Sequence, residues 1–289
     1  MNSLCYVPAM ATKSIQQVVQ RTSPTHAAQP QDDAVPEQAL AALLAPKNGV
    51  MMAVEQALLR GDGAHSSPPI AEQIAARLAG VIVLDLLHPG QRLFENDISA
   101  ALRVSRSPVR EAIRILERDH LVELHARRGA TVTAPDSREL QDIFEVRTAL
   151  FSILLEQVMH DRPADLEAMF KEFVPRLTRA AGESPDAYAV QSFLFNLAIA
   201  DLCSNRLVVD QLKAISLRTL RYTRLGLASA PDAVERSLKS WRAFQAAVVK
   251  RDTAAVIESA SKRIRNIRDL SVAAMREPQA PAGPARKRA

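Results

Sequence analysis

The chain has 289 residues, 37 Lys+Arg against 32 Asp+Glu for a formal net charge of +5, and 47% hydrophobic residues. That length accommodates two domains with tails, and that composition supplies ordinary globular cores rather than a disordered chain. No apolar run is long and charge-free enough for a membrane span, and the N-terminus lacks the basic start and apolar core of a secretory signal. Cys5 and Cys203, far apart in sequence, read as free thiols of a cytoplasmic protein.

Residues 1–67 are rich in Ala, Gln, Pro and Thr and read as a flexible extension, with helical apolar spacing at 38–44 and 50–59. Over 70–87, Ile74, Leu78, Val81, Ile82 and Leu86 fall on one helix face, and His88-Pro89-Gly90 ends that helix. A short helix follows at 95–102 with Ile98, Ala101 and Leu102 inward; Phe94 precedes it where a capping side chain is expected. Arg103-Val104-Ser105 makes a turn. Ser107 as N-cap and Pro108 at the first helical position predict a third helix over 108–119. Its inward face is Val109, Ala112, Ile113 and Leu116. Arg110 and Arg114 lie on the other face, with Arg106 just before it. Residues 121–124 and 130–133 read as two strands joined around a tip that carries Arg127, Arg128 and Gly129.

Helix, turn, arginine-bearing helix and two-stranded wing is the order in which a winged helix-turn-helix presents one helix to DNA. Arginine suits that task because its planar fork binds guanine O6 and N7 bidentately or clamps a phosphate. Ser105 and Ser107, at the leading turn, are placed to donate to phosphates. The competing reading is a solvated face balanced by Glu111 and Glu117. Charge alone does not separate the two, since 69–135 carries 9 Lys+Arg against 8 Asp+Glu; the agreement of cap, proline, short helix and wing favours DNA.

The run Pro89-Gly90-Gln91-Arg92-Leu93, then Val104 to Ala112, Leu116-Glu117, Leu121-Val122 and Arg128-Gly129-Ala130 resembles the GntR family of bacterial transcription regulators. The resemblance implies Arg106 and Arg110 as the principal base and phosphate readers, with Ser107 assisting and Arg128-Gly129 at the wing tip. His120 stands where the family usually has glycine. A positive φ is expected there, which histidine tolerates better than most residues.

From 136 onward the chain is helical in pattern. Amphipathic segments at 136–160, 163–181, 186–202, 207–227, 231–250 and 252–276, with short connections, read as an antiparallel bundle. The predicted fold is thus mostly α: a winged domain at 68–135, a helical effector-binding and dimerisation domain at 136–276, and a basic tail at 277–289. Residues 140–268 loosely resemble the FCD effector domain of one GntR branch, on Asp142 to Arg147, on Phe195 to Asn205, and on Trp241 to Phe244 ahead of Arg251-Asp252.

Many FCD domains hold a divalent metal with one Asp and three His. Alignment on the helix before Asn205 drops those ligands onto Ser192, Asn196, Trp241 and, within a residue, Arg263. None of these is a good ligand for a divalent ion, and none of the six histidines falls in the later bundle helices, so no metal is expected. Arg147 matches an arginine that the family places beside the pocket. With Arg263 it implies an anionic ligand, such as a small carboxylate, against which Trp241 can stack. Alternatives remain: Arg147 pairing with Glu145, Asp142 or another acid, Trp241 as filler, Ser192 and Asn196 satisfied by each other or by water, Arg263 on the surface, and a bundle used only for dimerisation. Arg218, Arg221 and Arg224 read as a solvated face. No nucleophile with a base, paired carboxylates or metal cluster points to an enzyme. The expectation is a homodimeric regulator on a palindromic operator, repressing a catabolic or transport operon.

Overall fold

The computed structural model describes residues 37–45, 49–59, 68–125 and 129–276. Its internal contacts divide the chain into two units: Met1–Val81 with Leu86–Glu117 and Val122–Val132, and Ile82–Asp85 with Arg118–Leu121 and Thr133–Ala289.

In the first unit, α1 (Glu37–Leu44) and α2 (Gly49–Leu58) precede α3 (Ile70–Val83), β1 (Arg92–Leu93), α4 (Glu95–Leu102), α5 (Arg106–Arg118), β2 (Val122–His125) and β3 (Gly129–Val132). The core is aliphatic, with Leu78, Val81, Ile98, Val109, Ala112, Leu116 and Val132 almost fully buried. The helix predicted to run to residue 87 stops at Val83. Asp85 takes a left-handed φ of 61°, and the Leu86 and Leu87 amides turn back onto the Val81 carbonyl. Aspartate tolerates that conformation, so the helix closes before His88-Pro89-Gly90 is reached.

The wing has a third strand that alternation did not predict, because β1 is two residues long. It pairs antiparallel with β3 through Leu93↔Ala130, and β2 flanks β3 on the other side through Val122↔Val132 and His125↔Gly129. Gly129 has φ +78°, and a Cβ there would meet the Leu93 carbonyl at 2.9 Å, so only glycine fits at that end of the hairpin. His120 has φ 56°, the conformation expected where the family usually has glycine.

The second unit is built from α6 (Ser137–Asp161), α7 (Pro163–Glu183), α8 (Pro185–Ala200), α9 (Arg206–Ala228), α10 (Ala233–Val249) and α11 (Thr253–Arg276). The boundaries follow capping chemistry. Asp136 accepts from the Arg138 and Glu139 amides at 2.8 Å, Ser184 from Ala187 at 3.0 Å and Asn205 from Val208 at 3.3 Å, each satisfying N–H groups that the first helical turn leaves free. Helix α11 packs against α6, α9 and α10, while α8 packs against α7 and α9. Where α9 crosses α11 there is no room for a side chain: a Cβ on Gly226 would lie 2.8 Å from the Ser271 nitrogen. An aromatic group fills the other side of the bundle. Trp241 stacks on Phe195 at 4.5 Å and on Phe244 at 5.9 Å, with Phe170 edge-on to all three.

The arginines of α9 are not a solvated face. Arg218 pairs with Glu139, Arg221 with Asp85, and Arg224 with Asp186 and the Val83 carbonyl; Arg221 and Arg224 are buried. Partners far away in sequence draw them in, and spacing along α9 carries no sign of those partners. Cys203 is a buried free thiol that donates to Gln157. No helix among the described residues is long and apolar enough to cross a membrane.

Candidate functional site

The first candidate site is α5. The helix begins at Arg106, two residues ahead of the predicted start. This moves Ser105 to the capping position and puts Ser107 and Pro108 inside the first turn, where proline's missing N–H still breaks no helical bond. Val109, Ala112, Ile113 and Leu116 are buried. Ser105, Arg106, Ser107, Arg110 and Arg114 are all exposed, on the opposite side. Arg127 and Arg128 lie outside the described residues.

Sequence reasoning missed the residue that organises these arginines. Glu95, at the start of α4, receives Arg110 Nε at 3.1 Å and Arg110 Nη2 at 3.0 Å, and Arg106 Nη2 lies 3.6 Å away. The Arg110 hydrogen bond is the main cause that holds the Glu95 carboxyl below its ordinary range, and the same bond raises Arg110. Arg114 approaches Glu111 at only 3.9 Å. Two cations are therefore presented edge-on to solvent by one carboxylate, at the leading turn of a helix whose back is packed. That arrangement suits a major groove. The only hint of it in the sequence is an acid opening the helix before the turn.

The second candidate site is a cavity inside the bundle. Arg147 from α6, Ser192 and Asn196 from α8, and Arg263 from α11 meet there. Trp241 does not line it. The α10 residue that does is Ser237, one helical turn earlier, and Trp241 lies behind Arg263 with its ring centroid 3.8 Å from the guanidinium carbon. The α9 contribution, Ser216, Leu220 and Thr223, was also missed, although its three- and four-residue spacing places it on one face. The space between these side chains is narrow, with apolar walls from Leu220, Leu227, Ile264 and Ile267.

Two arginines define the cavity's electrostatics. Arg147 is 8% exposed and Arg263 4%. Arg147 Nη1 donates to Thr219 Oγ1 at 3.0 Å, and among the described residues it pairs with no acid, Glu145 and Asp142 included. Arg263 is inside rather than on the surface; its Nη2 donates to Asn196 Oδ1 at 2.8 Å, while its Nε has no partner. Asn196 Nδ2 is occupied by the Ser192 carbonyl. Burial is the main cause that pushes Arg147 down to about 10 and Arg263 to about 9, the latter also repelled by Arg147. The Thr223 hydroxyl is buried without a partner among the described residues, and the Ser192 hydroxyl lies by that of Tyr188. Among the described residues, no Asp, Glu, His or Cys lines the cavity. A divalent cation does not fit this set: it would find hydroxyls and an amide for ligands and two guanidinium charges for neighbours. An anion fits it.

Residues 70–132 match the family described as bacterial regulatory proteins, gntR family, and residues 142–266 match the FCD domain. The gluconate operon transcriptional repressor of Bacillus subtilis (strain 168) is 26% identical over 205 residues, covering 68% of this chain and 83% of the relative. An uncharacterised HTH-type transcriptional regulator in the TAR-I ttuE-ttuC' intergenic region of Agrobacterium vitis is 30% identical over 143 residues, 50% of this chain and 80% of the relative. Among solved structures, Escherichia coli McbR/YncC superposes with a TM-score of 0.62 at 20% identity, over 71% of this chain and 98% of that one.

Proposed function

Because the chain belongs to the GntR family of bacterial regulatory proteins and carries its FCD domain, we propose that it is a repressor of a catabolic or transport operon, released from its operator by a small anionic metabolite bound in the helical domain. DNA-binding transcription regulation is the business of the family as a whole. The finer reading assigns 68–135 to operator recognition and 136–276 to effector binding and dimerisation. Arg106, Arg110 and Ser107 read bases and phosphates, with Ser105, Arg114 and the wing residues Arg127, Arg128 and Gly129 supporting them. A homodimer would set one α5 in each half of a palindrome. The repressor role is supported by the Bacillus subtilis relative, a repressor of the gluconate operon.

The observation that carries the effector reading is the cavity's pair of buried arginines without a carboxylate. Buried charges without counter-charges are costly, and an anion that binds one protomer arrangement better than another shifts the equilibrium between them. One observation favours a rival, a bundle that serves only to pair two copies: the cavity is narrow as it stands. The test begins with selection of bound sequences from random DNA by the full chain. A palindrome with one arm per protomer is expected. Titration of that complex with small carboxylates should then release the DNA. Recovery of a palindrome that no anion releases supports the rival, and recovery of no preferred sequence removes the operator reading.

A further inference from the structure

Resting on the anionic-effector reading, we propose that Arg263, seated on Trp241 and steered by Asn196, stands in for a metal ion as the cavity's fixed counter-charge, and that with Arg147 it binds a short-chain dicarboxylate without any divalent cation.

The number of charges comes from the cavity itself. Among the described residues, two guanidinium groups line one buried space and no acid does, so a ligand carrying two negative charges leaves it neutral where a single carboxylate leaves one cation uncompensated. The direction of approach comes from Arg263. Trp241 covers one face of its guanidinium and Asn196 takes one Nη2 hydrogen. The Nε edge is left without a partner and is the edge suited to a carboxylate. Trp241 is itself fixed between Phe195 and Phe244, so the cation sits on a rigid base, as a metal would in its ligand set. The Thr223 hydroxyl is one further donor in want of an acceptor. The chemical class comes from size and walls: the space is narrow, and the aliphatic side chains of Leu220, Ile264 and Ile267 suit a short carbon chain between two carboxylates better than a phosphate, which has oxygens on every side.

The test uses the full chain, treated with EDTA and desalted, in titration calorimetry against malonate and succinate, with propionate, succinamide and inorganic phosphate as comparators. A dicarboxylate should bind at least about tenfold more tightly than propionate, because the second charge pair is lost with the monoanion. Binding should be unchanged by EDTA or added Zn2+. Arg263→Gln, which keeps a donor for Asn196, should weaken it at least about thirtyfold. Asn196→Asp gives Arg263 an internal carboxylate at the loss of the Nδ2 bond to the Ser192 carbonyl, and should abolish binding without lowering the melting temperature, a combination that a purely structural role for Asn196 does not produce. It decides the matter even if Arg263→Gln fails to fold.

Binding that requires a metal, phosphate binding without dicarboxylate binding, equal affinity for propionate, or silence across the panel each overturns the proposal, as does wild-type affinity in Asn196→Asp. Operator release by phosphate, or by an anion with a metal, would sink this proposal and leave the anionic-effector reading standing. Dicarboxylate binding with no effect on operator DNA would sink that reading and keep this site.

Discussion

The two units use arginine in opposite ways. On α5, Arg106 and Arg110 are exposed and share the Glu95 carboxylate; inside the bundle, Arg147 and Arg263 are buried with only neutral oxygens for partners. An exposed cation loses little by being paired, since water screens the pair and a phosphate or guanine can displace it. A buried cation without a counter-charge is a standing demand. The difference shows that pairing, more than residue type, separates a group held ready for a polyanion from one held ready for a small ion.

The comparison can be pressed hardest at Trp241. Its replacement by alanine opens a void under Arg263 and in the aromatic group, and should cost roughly 3–5 kcal/mol of stability. Chemical denaturation of the full chain reads this; a loss below 1 kcal/mol would mean that the aromatic group is not the support described. On the other side, Arg110→Ala should leave the denaturation midpoint unmoved and weaken operator binding by about tenfold to a hundredfold, with relaxed preference at one base pair if it reads guanine. A uniform loss across sequences with a shallower salt dependence would instead make it a phosphate clamp.

A third test uses pH. Burial pushes Arg263 down to about 9 and Arg147 down to about 10 in the folded chain, well below the ordinary guanidinium range. Above pH 9 the folded chain begins to shed protons that the unfolded chain keeps, so this contribution makes stability rise with pH through that interval. The groups that set Arg263 are its own burial, Arg147 on α6 and Tyr188 on α8. Denaturation at pH 8 and pH 10 should show a gain in the wild type that shrinks in Arg263→Gln; equal pH dependence in both would remove Arg263 as its source. The smallest expected effect is at Glu95. Glu95→Gln frees both α5 arginines, and competition between operator and non-specific DNA should show non-specific affinity rising by a few-fold as a carboxylate is lost from the contact face. An unchanged ratio would mean that Glu95 plays no part in presenting them.

The winged unit was legible because its signals are local. The apolar face of α5 and the positive φ at His120 follow from residues within a few positions, although the Ser107-Pro108 start was placed two residues late. The six bundle helices were legible from amphipathic spacing and from breaks such as Arg162-Pro163 and Ser204-Asn205, whereas the capping bonds of Asp136 and Ser184 were not read. What failed was long-range. Burial of Arg221 and Arg224 depends on Asp85, Val83 and Asp186, and no periodicity on α9 announces them. Trp241 was put in the cavity because the resemblance aligned it with a ligand position; in the structure Ser237, one turn before it, has that face. Glu95 escaped notice because an acid in a helix's first turn has an ordinary explanation in the helix dipole.

Gly226 makes the crossing of α9 and α11 a fulcrum. The two backbones touch there and cannot separate further without losing contact or approach further without collision. Leu220, on the cavity wall, lies about 9 Å from that crossing along α9, and Arg206, at the helix start, about 30 Å. On a rigid helix, any tilt about this crossing would displace the first turn ~3 times as far as Leu220. A side chain at position 226 would push the two backbones apart, and with them the Leu220 and Ile267 walls that α9 and α11 give the cavity.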